Sequence, residues 1–185
     1  MKRLRLVALL LAVATMAAVS LTVASPASAD TQGPIRNAGN GKCLTPVGLF
    51  QGAAVVQNPC DIDSNGNVIN RAQQWDAVCV DASCPPFHVR NHANEGLCLD
   101  ARGFATNGTP IQLWTCNSIS NENWDYGPSP DPLDPYFMLR SRVSGTTSHC
   151  LDVPGGSDAD GVAMQLYWCN GSPAQTWIAG PGTIE

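Results

Sequence analysis

Two stretches of this chain carry an acidic residue, an amide and an aromatic ring at matched spacing. In one, Asp100 is followed by Gln112 and Trp114; in the other, Asp152 is followed by Gln165 and Tyr167. Residues two apart on a strand share a face. Gln112 and Trp114 therefore point together, with Ile111, Leu113 and Thr115 opposed, and Gln165/Tyr167 against Met164/Leu166 repeat the arrangement. A carboxylate accepts hydrogen bonds from adjacent hydroxyls, and a flat ring covers a C–H surface. The combination suits a saccharide, which shows hydroxyls at its edge and C–H groups on its faces. Glu122, eight residues past Trp114, is a further carboxylate in the same stretch. Paired carboxylates can also hydrolyse a glycosidic bond, but only in a cleft that grips the scissile bond. Hydroxyl recognition without catalysis is the expectation here.

Other chemistries find less support. His88, His92 and His149 sit beside no Ser/His/Asp pattern, and no phosphate-binding glycine loop occurs. Zinc would need clustered ligands such as Cys-x-x-Cys, which are missing from the sequence. Asp61-Ile62-Asp63-Ser64-Asn65-Gly66 imitates the opening of a calcium loop, yet Ala72 stands where a bidentate Glu belongs, so an acidic turn is expected. Asp158-Ala159-Asp160-Gly161 reads as another turn. No metal and no cofactor is expected. Asn107-Gly108-Thr109 and Asn170-Gly171-Ser172 match the N-glycosylation triplet, which matters only in a host with that pathway.

The elements that must position these residues begin after residue 29. Lys2, Arg3 and Arg5, the apolar run Leu6–Val23 and Ala27-Ser28-Ala29 form the three-part pattern of an export signal over 1–29. The run is near spanning length but lacks a basic stop-transfer flank. Residues 30–185 then form one exported domain with no membrane insertion after cleavage. All 15 acidic residues fall in that part, against seven basic ones, for a net charge near −8. Such a surface repels phosphate backbones and anionic membranes, so nucleic acid is not an expected partner.

The domain repeats itself. Cys43-Leu44-Thr45, Cys98-Leu99-Asp100 and Cys150-Leu151-Asp152 open a pattern that runs on to Cys60, Cys116 and Cys169 and then to Trp75, Trp124 and Trp177. Three features in fixed order, three times over, define repeats at approximately 34–80, 86–127 and 136–180. The cysteines of an exported chain pair as disulfides. The repeats predict Cys43–Cys60, Cys98–Cys116 and Cys150–Cys169, which leaves Cys79–Cys84 to close a small loop. Ile35-Arg36-Asn37, Phe87–Arg90 and Phe137–Arg140 begin the repeats as strands, and Gly, Asn, Asp and Pro punctuate the rest. An all-β domain of about twelve short strands follows. Three four-stranded units bury both faces only by closing on one another around a shared core. The three Trp residues are expected in that core, and the stretch Gly127–Pro132 is expected to be a stiff connector.

With Cys-Leu-Asp, then Gln-Leu-aromatic-x-Cys, then Gln-x-Trp, the chain resembles the ricin B-chain type of lectin domain over residues 34–180. The resemblance implies a β-trefoil of three homologous repeats of about 50 residues with pseudo-threefold symmetry. It implies shallow carbohydrate sites at Asp100, Gln112, Trp114, Asn121 and Glu122 in repeat two, and at Asp152, Gln165, Tyr167 and Gln175 in repeat three. Glu122 stands in place of the usual Gln, and Ala174 in place of Asn121. Repeat one has Thr45 for the Asp, Val56 for the Gln, Asn58 for the ring and Ala72 for the Asn, so no site is expected there. Galactose-type and xylose-type glycans are the implied ligands, with a separate secreted hydrolase as a functional companion. A secreted protein-binding or inhibitory trefoil with vestigial sugar sites is the alternative.

Overall fold

The computed structural model describes residues 32–180, apart from 83, 118, 129–134 and 146. The predicted export signal and most of the predicted connector lie outside the described residues. Among the described residues, apolar segments punctuated by turn residues build thirteen short strands. Repeat one supplies β1 (Gln32–Asn37), β2 (Cys43–Pro46), β3 (Val55–Asn58) and β4 (Gln74–Cys79). Repeat two supplies β5 (Phe87–Asn91), β6 (Leu97–Ala101), β7 (Thr109–Thr115) and β8 (Trp124–Gly127). Repeat three supplies β9 (Met138–Ser141), β10 (His149–Asp152), β11 (Val162–Ala163), β12 (Gln165–Trp168) and β13 (Trp177–Ala179).

The first and last strands of each repeat form a closed antiparallel ring. β1 pairs with β4, β4 with β5, β5 with β8, β8 with β9, and β13 returns to β1. A bridge between Phe137 and Trp177 links the remaining seam. Closure leaves no free edge in the barrel. At the β1–β13 seam the backbones approach so closely that a Cβ on Gly33 would lie 2.7 Å from the Gly180 carbonyl carbon, so only glycine fits there.

The middle strands form three hairpins, β2–β3, β6–β7 and β10–β12, which cap the barrel. They meet one another near the threefold axis. Met164 donates to the Val55 carbonyl, Ile111 to Met164, and Leu113 to Ala53. Met164 spends its N–H and carbonyl on two different repeats. That splits the third strand of repeat three into β11 and β12, which accounts for thirteen strands where about twelve are expected. The only helical pieces among the described residues are single 3-10 turns.

The expected core is present. Trp75, Trp124 and Trp177 are 2%, 0% and 0% exposed. Their indole N–H groups donate to the carbonyls of Leu44, Leu99 and Leu151 at 3.1, 2.9 and 3.2 Å. Each Gln-x-Trp motif is thereby tied to the Cys-Leu dipeptide of its own repeat, and a buried indole finds its acceptor. Leu44, Leu99 and Leu151 are fully buried beside them. All four predicted disulfides are formed. The calcium-like stretch is a turn, in which Asp63 Oδ1 accepts from the backbone N–H groups of Asn65 and Asn67 at 2.8 and 2.9 Å.

Candidate functional site

The hairpin registers bring the candidate residues together twice. On β6–β7, Asp100 lies opposite Gln112 and Cys98 opposite Trp114. On β10–β12, Asp152 lies opposite Gln165 and Cys150 opposite Tyr167. Facing residues on antiparallel strands stand side by side. Each carboxylate therefore adjoins its amide, with the ring one pair further along. Leu113 and Leu166, on the opposite face, are fully buried. Trp114 is half-buried and Tyr167 is 40% exposed, so both rings reach the surface.

The amides orient the carboxylates. Gln112 Nε2 donates to Asp100 Oδ1 at 2.8 Å, and Gln165 Nε2 donates to Asp152 Oδ2 at 2.7 Å. Asp100 and Asp152 are 3% and 4% exposed. Burial raises both carboxyls above the ordinary aspartate value, and the amide bonds partly offset it. Each remains able to accept further hydroxyl donors, since a carboxylate offers about four lone-pair sites.

Two of the expected site residues lie deepest. Glu122 and Gln175 are both 0% exposed. They stand behind the carboxylates and cannot touch a ligand directly. Gln175 Nε2 donates to Asp152 Oδ1 at 3.1 Å and to the Trp168 carbonyl at 2.9 Å, while its Oε1 accepts from the Asn170 N–H at 2.8 Å. Asn121 Nδ2 is committed to the carbonyls of Ala101 and Gly103 at 2.8 and 3.1 Å, so its amide shapes the loop after Asp100. In repeat one, Thr45 takes the carboxylate's place and accepts from Gln73 Nε2 at 3.0 Å.

Around Asp152, Gln165 and Tyr167 lies an open hollow of about 290 Å³, also lined by Gly155, Gly156 and Asn170. It adjoins a second hollow of about 410 Å³ that shares Gly155, Gly156 and Ser172 and reaches Asn37, Asn40 and Asp158. Several exposed aromatics escaped the sequence reading, Phe104 and Trp168 beside the candidate residues among them. Phe104, 77% exposed, sits on the loop that Asn121 fixes, and Trp168, 57% exposed, packs edge-on against His149 at 5.2 Å. Phe104 occupies the position four past Asp100, where repeat three has Gly156 four past Asp152. That mismatch between repeats was the available signal. Among the described residues, His88, Cys98 and Glu122 lie mutually within 4.8 Å. Cys98 is bonded to Cys116, so this trio offers no thiolate to a metal.

A family described as ricin-type beta-trefoil lectin domain-like matches residues 22–114 and 71–167. No curated protein matches the chain. Among solved structures, the designed threefold symmetric protein ThreeFoil is 24% identical with a TM-score of 0.68, covering 82% of this chain and 99% of that one. A ricin B-like lectin from Macrolepiota procera, solved with lactose, is 18% identical with a TM-score of 0.64, covering 85% and 99%. The exo-β-1,3-galactanase 1,3Gal43A from Clostridium thermocellum is 24% identical with a TM-score of 0.66; the match covers 84% of this chain but 31% of the galactanase. These likenesses establish the β-trefoil fold.

Proposed function

Since the chain belongs to the ricin-type β-trefoil lectin-like family, we propose that it is a secreted, non-catalytic carbohydrate-binding protein with sites in repeats two and three. The observation that carries this reading is the doubled pairing of an amide-oriented carboxylate with a surface ring, at Asp100/Gln112/Trp114 and Asp152/Gln165/Tyr167. The carboxylate accepts from adjacent hydroxyls and the ring stacks on the C–H face. Galactose-type and xylose-type glycans are the proposed ligands; the lactose bound to the Macrolepiota procera lectin supports the first. The adjoining hollows beside Asp152, one of them reaching Asn37 and Asn40 of repeat one, favour a chain of sugars over a single one.

The sites are open and shallow, and a lone one binds weakly. Two sites on one polymer reinforce each other through effective concentration. Binding without hydrolysis also gives the protein a role beside a separate secreted hydrolase, which it would hold near its substrate. The test is affinity chromatography on immobilised galactan and xylan. The Trp114→Ala/Tyr167→Ala double variant is expected to lose retention while its circular dichroism stays native. Full retention by that variant would remove the proposed sites.

A further inference from the structure

The glutamine of the Gln-x-Trp motif performs the same task in repeats one and three. Its Oε1 accepts a backbone N–H, from Asp61 to Gln73 at 2.8 Å and from Asn170 to Gln175 at 2.8 Å. Its Nε2 gives one hydrogen to the site residue on the second strand and one to a carbonyl just before the cysteine. Those acceptors are Thr45 Oγ1 and the Pro59 carbonyl for Gln73, and Asp152 Oδ1 and the Trp168 carbonyl for Gln175.

Repeat two keeps half of this. Glu122 Oε2 accepts from the Asn117 N–H at 2.7 Å. Glu122 Oε1 is buried without a hydrogen-bond partner among the described residues. By equivalence, it stands where an amide N–H₂ faces two acceptors, here the Asp100 carboxylate and the Thr115 carbonyl. An ionised carboxylate cannot donate, whereas the neutral acid has one O–H to give. We propose that repeat two binds carbohydrate through Asp100 only while Glu122 holds a proton, and that repeat three, with Gln175, carries no such requirement. Glu122 is thus a positioning residue that makes one of two sites responsive to acidity.

The surroundings favour the neutral acid. Burial, then the charge of Asp100, push the Glu122 carboxyl up to about 7, against the pull of the Asn117 N–H. Two titratable groups face it: Asp100 from β6 and His88 from β5, whose Nε2 lies 3.0 Å from Asn123 Oδ1. On the side of the Val143–Gly145 turn, the Arg142 guanidinium is held by Asp125 at 2.8 Å. Loss of the Glu122 proton places a second buried anion against Asp100. Asp100 then either swings away or takes a proton itself, and in both cases the hydroxyl acceptor is spoiled. Binding in repeat two should therefore fall as pH rises through neutrality.

This inference rests on the carbohydrate reading, and the test separates the two. Tyr167→Ala leaves repeat two as the ring-bearing site, and Trp114→Ala leaves repeat three. Retention on immobilised galactan and xylan is measured at about pH 6 and about pH 8.5, bracketing the Glu122 transition. The Tyr167→Ala chain should lose roughly tenfold or more in retention at the higher pH, following the protonated fraction of Glu122. The Trp114→Ala chain and the Glu122→Gln/Tyr167→Ala chain should bind equally at both. The Gln variant keeps His88, so its flat profile assigns the transition to Glu122. Independently of any sugar, the Glu122 carboxyl ¹³C resonance should titrate near neutrality. Equal retention of Tyr167→Ala at both pH values, or a Glu122 resonance that titrates near 4.5, overturns the inference alone. Absence of retention for the wild-type chain at every pH overturns the carbohydrate reading, and this one with it.

Discussion

Replacing Glu122 by Gln should stabilise the protein, and the gain should grow with pH. Glu122 is fully buried, and its Oε1 has no partner among the described residues. Its carboxyl releases its proton at about 7 in the folded chain, against an ordinary value of 4.5. A raised carboxyl stabilises the fold most at acid pH, below the unfolded value, and that stabilisation is lost as pH rises through the folded value. The full span corresponds to about 3 kcal/mol, of which about 2 kcal/mol is lost between pH 5.5 and 8.5. Glu122→Gln has no proton to lose, so this slope vanishes. At pH 5.5 the variant should gain only about 1 kcal/mol, from a second hydrogen bond to the Thr115 carbonyl. At pH 8.5 the gain should be about 3 kcal/mol, the sum of the restored bond and the relieved charge. The assay is urea unfolding with disulfides intact at both pH values, with thermal melts in parallel. The differential of about 2 kcal/mol should appear as roughly 4–8 °C in Tm for a chain of this size. An identical gain at the two pH values would show that Glu122 is not buried as an acid facing Asp100.

Two further outcomes follow from the hydrogen-bond network. In the Trp114→Ala background, repeat-three binding should weaken on acidification, because Asp152 must be ionised to accept hydroxyls and burial raises its carboxyl above the ordinary 3.8; half-loss of galactan or xylan retention should therefore fall above that pH, opposite in sign to repeat two. Gln57→Ala should weaken repeat-three retention several-fold and lower stability by about 2 kcal/mol, measured by the same column and urea curves, because Gln57 Nε2 anchors the carbonyls of Ser157 and Ala159 at 2.6 and 2.8 Å.

Most of the fold was legible in the sequence because it is written three times. The cysteine spacing dictated the bridges within repeats, and the recurring Trp had to be core because each repeat needs one large apolar anchor. The hairpin register was also legible, since the Gln-x-aromatic parity fixes which side chains share a face. What could not be read was depth. Glu122 and Gln175 fall in the same motif as residues that reach the surface, and strand parity does not apply in a 3-10 turn. Only the packing of Ser120–Glu122 and Pro173–Gln175 against β6 and β10 shows them to lie behind the carboxylates. The strand break at Met164 was hidden for a related reason, because its two backbone partners, Val55 and Ile111, belong to other repeats.

The same limitation explains repeat one. Aligned to its siblings, it lacks the proposed site residues: Thr45 stands for the Asp, Val56 for the Gln and Asn58 for the ring. In three dimensions β3 makes the same kind of pairing that β12 makes with β7, where Gln165 lies opposite Pro110, but it carries Gln57 where the other repeats have Leu113 and Leu166. β3 pairs with β11 of repeat three, with Gln57 opposite Val162 and Val56 opposite Ala163. Gln57 is fully buried, and besides holding Ser157 and Ala159 its Oε1 accepts from Asn40 Nδ2 at 2.9 Å. Asn58, standing where the ring would be, accepts from the Gly161 N–H at 3.0 Å, and Lys42 ion-pairs with Asp160. The contacts of Gln57, Asn58 and Lys42 with Ser157, Ala159, Gly161 and Asp160 grip the segment from Ser157 to Gly161. That segment continues directly from Gly155 and Gly156, which line the hollow beside Asp152. A bulky ring at position 58 would compete with the turn that Asn58 now holds. Repeat one thus braces the loop beside the proposed repeat-three site. These contacts hold the acidic turn Asp158–Asp160 beside the repeat-three hollow, and under the proposed reading the two sites differ: one is braced by a neighbouring repeat and a neutral amide, the other rests on a titratable acid.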